Sequence, residues 1–140
     1  KLLDNLINIF KPNHFLIFDY GYTYENRAKK PYTSLLRTYK EHHLSKEPLE
    51  DPGETDITYD VNFSFLDKYF EAKGYKVELM YQYNFLEKYG FDKIYKKLKD
   101  DYQKSSDIEK LKFKSQLVGL EAIHNERGLG GFYTMIAEKI

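Results

Sequence analysis

Leu2, Leu3, Leu6, Ile7 and Phe10 recur at helical spacing until Pro12 stops the pattern, so the chain opens with a predicted amphipathic helix. Phe15-Leu16-Ile17-Phe18 then runs without alternation into Asp19-Tyr20-Gly21-Tyr22. This reads as a strand over 14–19 buried on both faces, as at the centre of a parallel sheet, ending in a polar turn. From 20 to 59 the periodicity fades. Pro31, Pro48, Pro52 and Gly53 punctuate it, with Ser34 to His43 compatible with a short helix. Asp51-Pro52-Gly53-Glu54-Thr55-Asp56-Ile57-Thr58-Tyr59-Asp60-Val61-Asn62-Phe63 is too polar for a core strand and lies between two apolar segments.

Regularity then returns. Asp60 or Asn62 can cap a helix reaching about residue 73, with Phe63, Leu66, Tyr69 and Phe70 on its buried face and Gly74 as its stop. Val77, Leu79 and Tyr81 alternate with polar residues in a strand over 75–82. Asn84 and Asp92 are candidate caps for two short helices separated by Gly90, and Ser106 with Glu109 forms a capping box for a longer helix to about residue 123. Gly130-Gly131 introduces a last strand over 132–137. An interior strand at 14–19 needs a neighbour at both edges, and the other two strands fit on one side of it, so something else should cover the second edge.

Composition narrows the class. At 140 residues, 41% hydrophobic and 31% charged, the chain reads as about one globular domain. The 22 basic residues balance the 22 acidic ones, which argues against non-specific nucleic-acid binding. No apolar run reaches the roughly 20 residues of a membrane span, and no secretory pattern is present. The expected location is the cytoplasm, with a prokaryotic source assumed. The chain begins with Lys1 and not Met, and reads as a piece of a longer product. Cysteine is absent, which removes disulfide and thiolate chemistry. The 14 tyrosines and 10 phenylalanines fall mainly at helical core spacing and not as a base-stacking platform. The lysines between Lys93 and Lys114 interleave with Ile94, Tyr95, Leu98 and Leu111, as on a solvated helix face.

The segments Phe15 to Tyr22, Leu36-Arg37-Thr38-Tyr39 with His42, Asp51 to Thr58 and Asp60 to Phe63 resemble the C-terminal half of the MidA-like methyltransferases. Gln82, Phe85-Leu86 and Gly90 fit the same pattern, and Gly130-Gly131-Phe132 fits it more loosely. That family uses S-adenosylmethionine (SAM) and includes the mitochondrial arginine methyltransferase that assists respiratory complex I assembly. The resemblance implies an α/β fold: the C-terminal half of a seven-stranded Rossmann-like sheet of order 3-2-1-4-5-7-6, strand seven antiparallel. Residues 14–19, 75–82 and 131–137 would be strands five, six and seven, with a substrate-cleft loop at 20–62 and a helical insert at 84–124. The glycine-rich SAM loop would lie upstream of Lys1, in a missing N-terminal half or another chain docked at the 14–19 edge.

The resemblance also implies a protein substrate, with arginine as methyl acceptor. A guanidinium is protonated at neutral pH, so carboxylates can grip and orient it. Asp56 ranks first, supported by Thr58, with His42 as proton acceptor or orienting partner. Glu54, Asp60, Asn62, Gln82 and Tyr39 are candidate substrate contacts, and Asp19, Tyr20 and Gly21 lie beside the cofactor. Plainer roles stand next to these: Asp56 and Thr58 as turn formers, Asn62 as a helix cap, Asp19 to Gly21 as a shaped turn. Glu41, His42 and His43 are a poor metal site because adjacent histidines point apart, and His124 reads as an exposed residue at a helix end. The rival function is a non-catalytic interaction or assembly module on a methyltransferase half-fold. A small-molecule hydrolase ranks third, for want of a nucleophile constellation.

Overall fold

The computed structural model describes residues 1–29, 34–40, 43–45, 49 and 53–140. The chain opens with α1 (Leu2–Phe10), as the apolar spacing predicts. Lys11 ends it in the left-handed region at φ 46°, donating its amide to Ile7 O at 3.0 Å, and Pro12 cannot continue the ladder. There follow β1 (His14–Asp19), β2 (Gly21–Tyr22), α2 (Tyr24–Lys29), β3 (Leu36–Lys40), β4 (His43–Ser45), β5 (Asp56–Tyr59) and β6 (Val61–Asn62). Then come α3 (Phe63–Ala72), β7 (Tyr75–Tyr81), α4 (Gln82–Lys88), α5 (Phe91–Lys104), α6 (Asp107–His124), a 3-10 turn at Leu129–Gly131, and β8 (Tyr133–Lys139).

The main sheet has the order β1-β8-β7, with β8 antiparallel to both neighbours. This is the 5-7-6 order that the resemblance implies. The register sets Ile17, Met135 and Leu79 in one row and Phe15, Ala137 and Val77 in the next. These rows form the inner face. Leu3 and Ile7 of α1 pack on it together with Phe63, Leu66, Tyr69 and Phe70 of α3. Phe63, Phe70, Met135 and Ala137 are fully buried, so the core is a single layer between this face and two helices.

The prediction that β1 is a parallel strand buried on both faces does not hold among the described residues. Its burial alternates: Phe15 and Ile17 face the helices, while Leu16 is 55% and Phe18 42% exposed. An apolar run records what a strand could bury, and here only one face has helices over most of its length. Phe18 meets the Phe85 ring at 5.1 Å, so α4 covers the end of the other face. The second edge of β1 carries no strand among the described residues.

The helix boundaries follow local chemistry. Asn62 caps α3, its Oδ1 accepting from the Phe65 amide at 3.0 Å, and Gly74 closes the helix at φ 78°. Asp60 is not the cap. Asn84 and Asp92 fall inside α4 and α5, whose N-caps are Tyr81 and Gly90, so Gln82 opens a helix instead of ending a strand. At α6 the Glu109 carboxylate accepts from the Ser106 amide and hydroxyl, as the capping pattern predicts.

The predicted helix over 34–43 is also replaced. β3 pairs antiparallel with β4 and β5, and β2 pairs parallel with β6. Much of the polar stretch 20–62 is therefore two small sheets and a short helix, not an irregular loop. Residues 51 and 52, which open the polar segment, lie outside the described residues.

Candidate functional site

The chain turns out of β1 at Asp19, whose Oδ1 accepts from the Tyr20 amide at 2.8 Å. The next residue must be glycine for a packing reason: a Cβ on Gly21 would stand 2.2 Å from Val61 O and 2.8 Å from the Phe63 ring. This close approach lets β2 lie along β6, above the ends of β1 and β7 and the start of β8. A cleft of about 340 Å³ opens there, walled by Gly21, Tyr22, Asn26, Asp60, Tyr81 and Tyr133, with Arg27 and Lys29 also contributing. Strand ends of an α/β sheet are where such folds place ligands.

The wall is aromatic with a polar centre. The Tyr81 and Tyr133 rings stack at 5.0 Å, and Phe63 backs Tyr133 at 5.0 Å. Their hydroxyls converge on Asn26, whose Nδ2 donates to Tyr81 Oη at 3.1 Å and to Tyr133 Oη. Burial, then the hydrogen bond with Tyr81, pushes the Tyr133 hydroxyl above its ordinary pKa, so it stays protonated at neutral pH. Burial followed by a hydrogen bond to Tyr59 does the same for Tyr22.

The charged groups are largely paired. Arg37 donates to Asp60 Oδ1 and lies over the Tyr20 ring at 4.8 Å, and its hydrogen bond to Asp60 raises its pKa further. Lys29 Nζ donates to Glu25 at 2.6 Å.

Of the residues picked from sequence, Gly21 and Asp60 line the cleft, and Tyr20 adjoins it through Arg37. Asp60 is engaged by Arg37. Asp56 and Thr58 lie two residues apart on β5, directly opposite Tyr39 and Arg37 of β3, with Asp56 exposed. Glu54 sits in the exposed turn before β5. Asn62 serves as helix cap. Gln82 Nε2 donates to Ile123 O at 2.8 Å, tying α4 to α6. His42 lies outside the described residues. His124 is not the exposed histidine expected: its ring stacks on Phe91 at 4.2 Å and its Nε2 lies 3.0 Å from Glu87 Oε1.

Sequence reasoning missed Asn26, Tyr22, Tyr81 and Tyr133. The one available signal was position, since Tyr81 and Tyr133 stand at strand ends, but their convergence on Asn26 spans 55 and 107 residues.

The strand order, the antiparallel β8 and a cleft at the strand ends define a methyltransferase-type α/β fold. Residues 1–80 match the family described as "putative S-adenosyl-L-methionine-dependent methyltransferase", and the chain belongs to that family. A crystal structure of a COG1565 superfamily member from Burkholderia thailandensis bound to S-adenosyl-homocysteine superposes with TM-score 0.70 at 18% identity, covering 90% of this chain and 32% of that one. A second structure, an uncharacterized COG1565 superfamily protein from the same organism, gives 0.69 at 20% identity, covering 91% and 33%. The chain thus spans about a third of the length of the solved structures it matches. No curated protein matches it.

Among the described residues no glycine-rich turn leads from a strand into a helix, the arrangement that cradles the cofactor in open α/β folds. A donor cradle needs glycine backbone left open to a ligand. Gly21, Gly130 and Gly131 are packed against the protein's own atoms, on Val61 and Phe63, on His124 and on Glu126, while the open Gly53, Gly90 and Gly119 lie in the turn before β5, between α4 and α5, and inside α6. No helix among the described residues is long and apolar enough to cross a membrane.

Proposed function

We propose that this chain supplies the acceptor side of a MidA-like SAM-dependent methyltransferase acting on a protein side chain, with arginine as the acceptor. The carrying observation is the cleft at the ends of β1 and β7, in a chain whose family is that of SAM-dependent methyltransferases. Methyl transfer is an in-line displacement at the sulfonium methyl, so the protein must hold one acceptor nitrogen in line and accommodate its proton. Gly21 and Asp60 in the wall are the proposed contacts to the acceptor side chain, and Asp56, Thr58 and Tyr39, on the β4-β3-β5 sheet outside the cleft lining, are proposed contacts further along the acceptor chain. Glu54 and His42 remain candidates beside them.

In this reading the donor is held mainly by a partner half, preceding in the same protein or in another chain, seated at the edge of β1 that carries no strand among the described residues. Exposed Leu16 and Phe18 on β1 and Leu2, Ile9 and Phe10 on α1 support that docking. The setting is a prokaryotic cytoplasm.

The same apolar surface favours a second reading, an interaction module that binds a partner without catalysis. Calorimetry with SAM on the chain joined to its upstream sequence separates the two. Micromolar affinity together with radiolabelled methyl transfer to protein arginine, lost in Asp56→Ala or His42→Ala, is the expected result. Absence of SAM affinity in that protein removes the enzyme reading.

A further inference from the structure

One polar group in the cleft wall is only half used. The Asn26 Nδ2 is spent on the Tyr81 and Tyr133 hydroxyls, yet no described residue donates to its Oδ1. The side chain is held firmly. Its own amide donates to Thr23 Oγ1 at 3.2 Å, and the neighbouring Tyr24 amide donates to Ser64 Oγ at 3.0 Å, fixing α2 against α3. The two tyrosine oxygens then set the plane of the carboxamide. What remains is a carbonyl acceptor of fixed direction beside two stacked rings, whose hydroxyls are already engaged with Asn26 and with each other.

That arrangement selects a ligand chemistry. The wall's spare capacity is for accepting hydrogen bonds and for contact with an aromatic face. A flat nitrogen group rich in N–H, such as a guanidinium or a carboxamide, satisfies both. The nearby cations do not stand alone: Lys29 is neutralised by Glu25, Arg37 by Asp60, and Arg27 has a partner of its own. We propose that Asn26 is the acceptor-binding residue of the cleft, its Oδ1 taking an N–H of a planar nitrogen head group laid against Tyr81 and Tyr133. The link to catalysis rests on the methyltransferase reading above, whereas the binding site does not.

The test needs no methyl donor. The chain is titrated with ethylguanidine, propionamide and propionate while the ring signals of its tyrosines and the Asn26 side-chain amide are followed by NMR. The expected result is saturable shifts at Asn26, Tyr81 and Tyr133 with at least one nitrogen probe in the millimolar range, and none with propionate. Asn26→Leu should weaken that binding about tenfold or more, because a directed hydrogen bond is lost. Asn26→Asp, which keeps an oxygen there, should retain ethylguanidine binding. If Asn26→Leu does not fold, Tyr81→Phe serves instead and should weaken binding while leaving the inner core in place.

Preference for propionate, no saturable shift with either nitrogen probe, or unchanged affinity in the folded variants overturns the proposal. A protein that binds ethylguanidine at Asn26 but transfers no methyl group keeps this site and discards the proposed function. Methyl transfer with an unchanged KM in Asn26→Leu does the reverse.

Discussion

Arg37 and Asp60 join the small β4-β3-β5 sheet to the wall of the cleft. The guanidinium donates to Asp60 Oδ1 while lying over the Tyr20 ring, and the Asp60 amide donates to Leu35 O at 3.0 Å. Both side chains are mostly shielded, at 29% and 16% exposure. Removing one partner strands the other away from water, so Arg37→Ala and Asp60→Asn should each cost about 1–2 kcal/mol in urea unfolding. Lys29→Ala breaks an ion pair whose two side chains are 65% and 78% exposed, and should leave the midpoint unchanged. Equal effects from both pairs would show that Arg37 and Asp60 are not a structural tie.

Gly21 and Gly119 should respond oppositely to the same substitution. Gly21→Ala drives a methyl group into Val61 O and the Phe63 ring, both fixed in the core, and should destabilise by about 1–3 kcal/mol while narrowing the cleft. Gly119 lies within α6, and a Cβ there would meet nothing within 4 Å, so Gly119→Ala should stabilise by about 0.5–1 kcal/mol. Thermal unfolding of the two variants checks both signs.

Thr134 is fully buried in β8, and its Oγ1 has no hydrogen-bond partner among the described residues. A buried hydroxyl without a partner gives up its hydration for nothing. Thr134→Val keeps the shape and removes that cost, so the variant should unfold at higher denaturant, with a gain of about 1 kcal/mol in unfolding free energy. A loss of stability would reveal a partner for the hydroxyl.

Asp4 anchors α1 to α3. Its carboxylate accepts from Lys73 Nζ and Tyr69 Oη, each at 2.9 Å. The bond from Lys73, then that from Tyr69, holds its pKa well below the usual carboxylate range. A folded-state pKa below the unfolded one stabilises the fold above the unfolded value of about 3.9, and that contribution fades as pH falls through the folded value. Comparing Asp4→Asn with the parent chain should therefore show a gap in melting temperature at pH 7. The gap should persist to near pH 4 and shrink only in stronger acid. A gap that closes between pH 6 and 5 contradicts this assignment.

The sequence by itself determined the elements whose information is local. α1, α3 and α6 were legible because their apolar faces repeat within one or two turns and their ends carry Pro12, Asn62, Gly74 and the Ser106–Glu109 pair. The three main strands were legible as apolar or alternating runs, and the resemblance supplied their order. The small sheets were not. β3 and β5 are short and polar, and a strand of that kind owes its existence to a partner some twenty residues away, as in the pairing of Tyr39 with Asp56.

Only the tertiary structure decided which polar residues share the cleft. Asp56 stood out in sequence for its polar neighbourhood, yet strand pairing sets it on an exposed edge of a different sheet. Asn26 sits in a short helix with nothing in its sequence to mark it, and meets Tyr81 and Tyr133 because the sheet register brings both strand ends beside α2. Helix periodicity and capping are written in neighbouring residues. The cleft depends on contacts between residues far apart in the chain, which backbone pairing and core packing alone bring together.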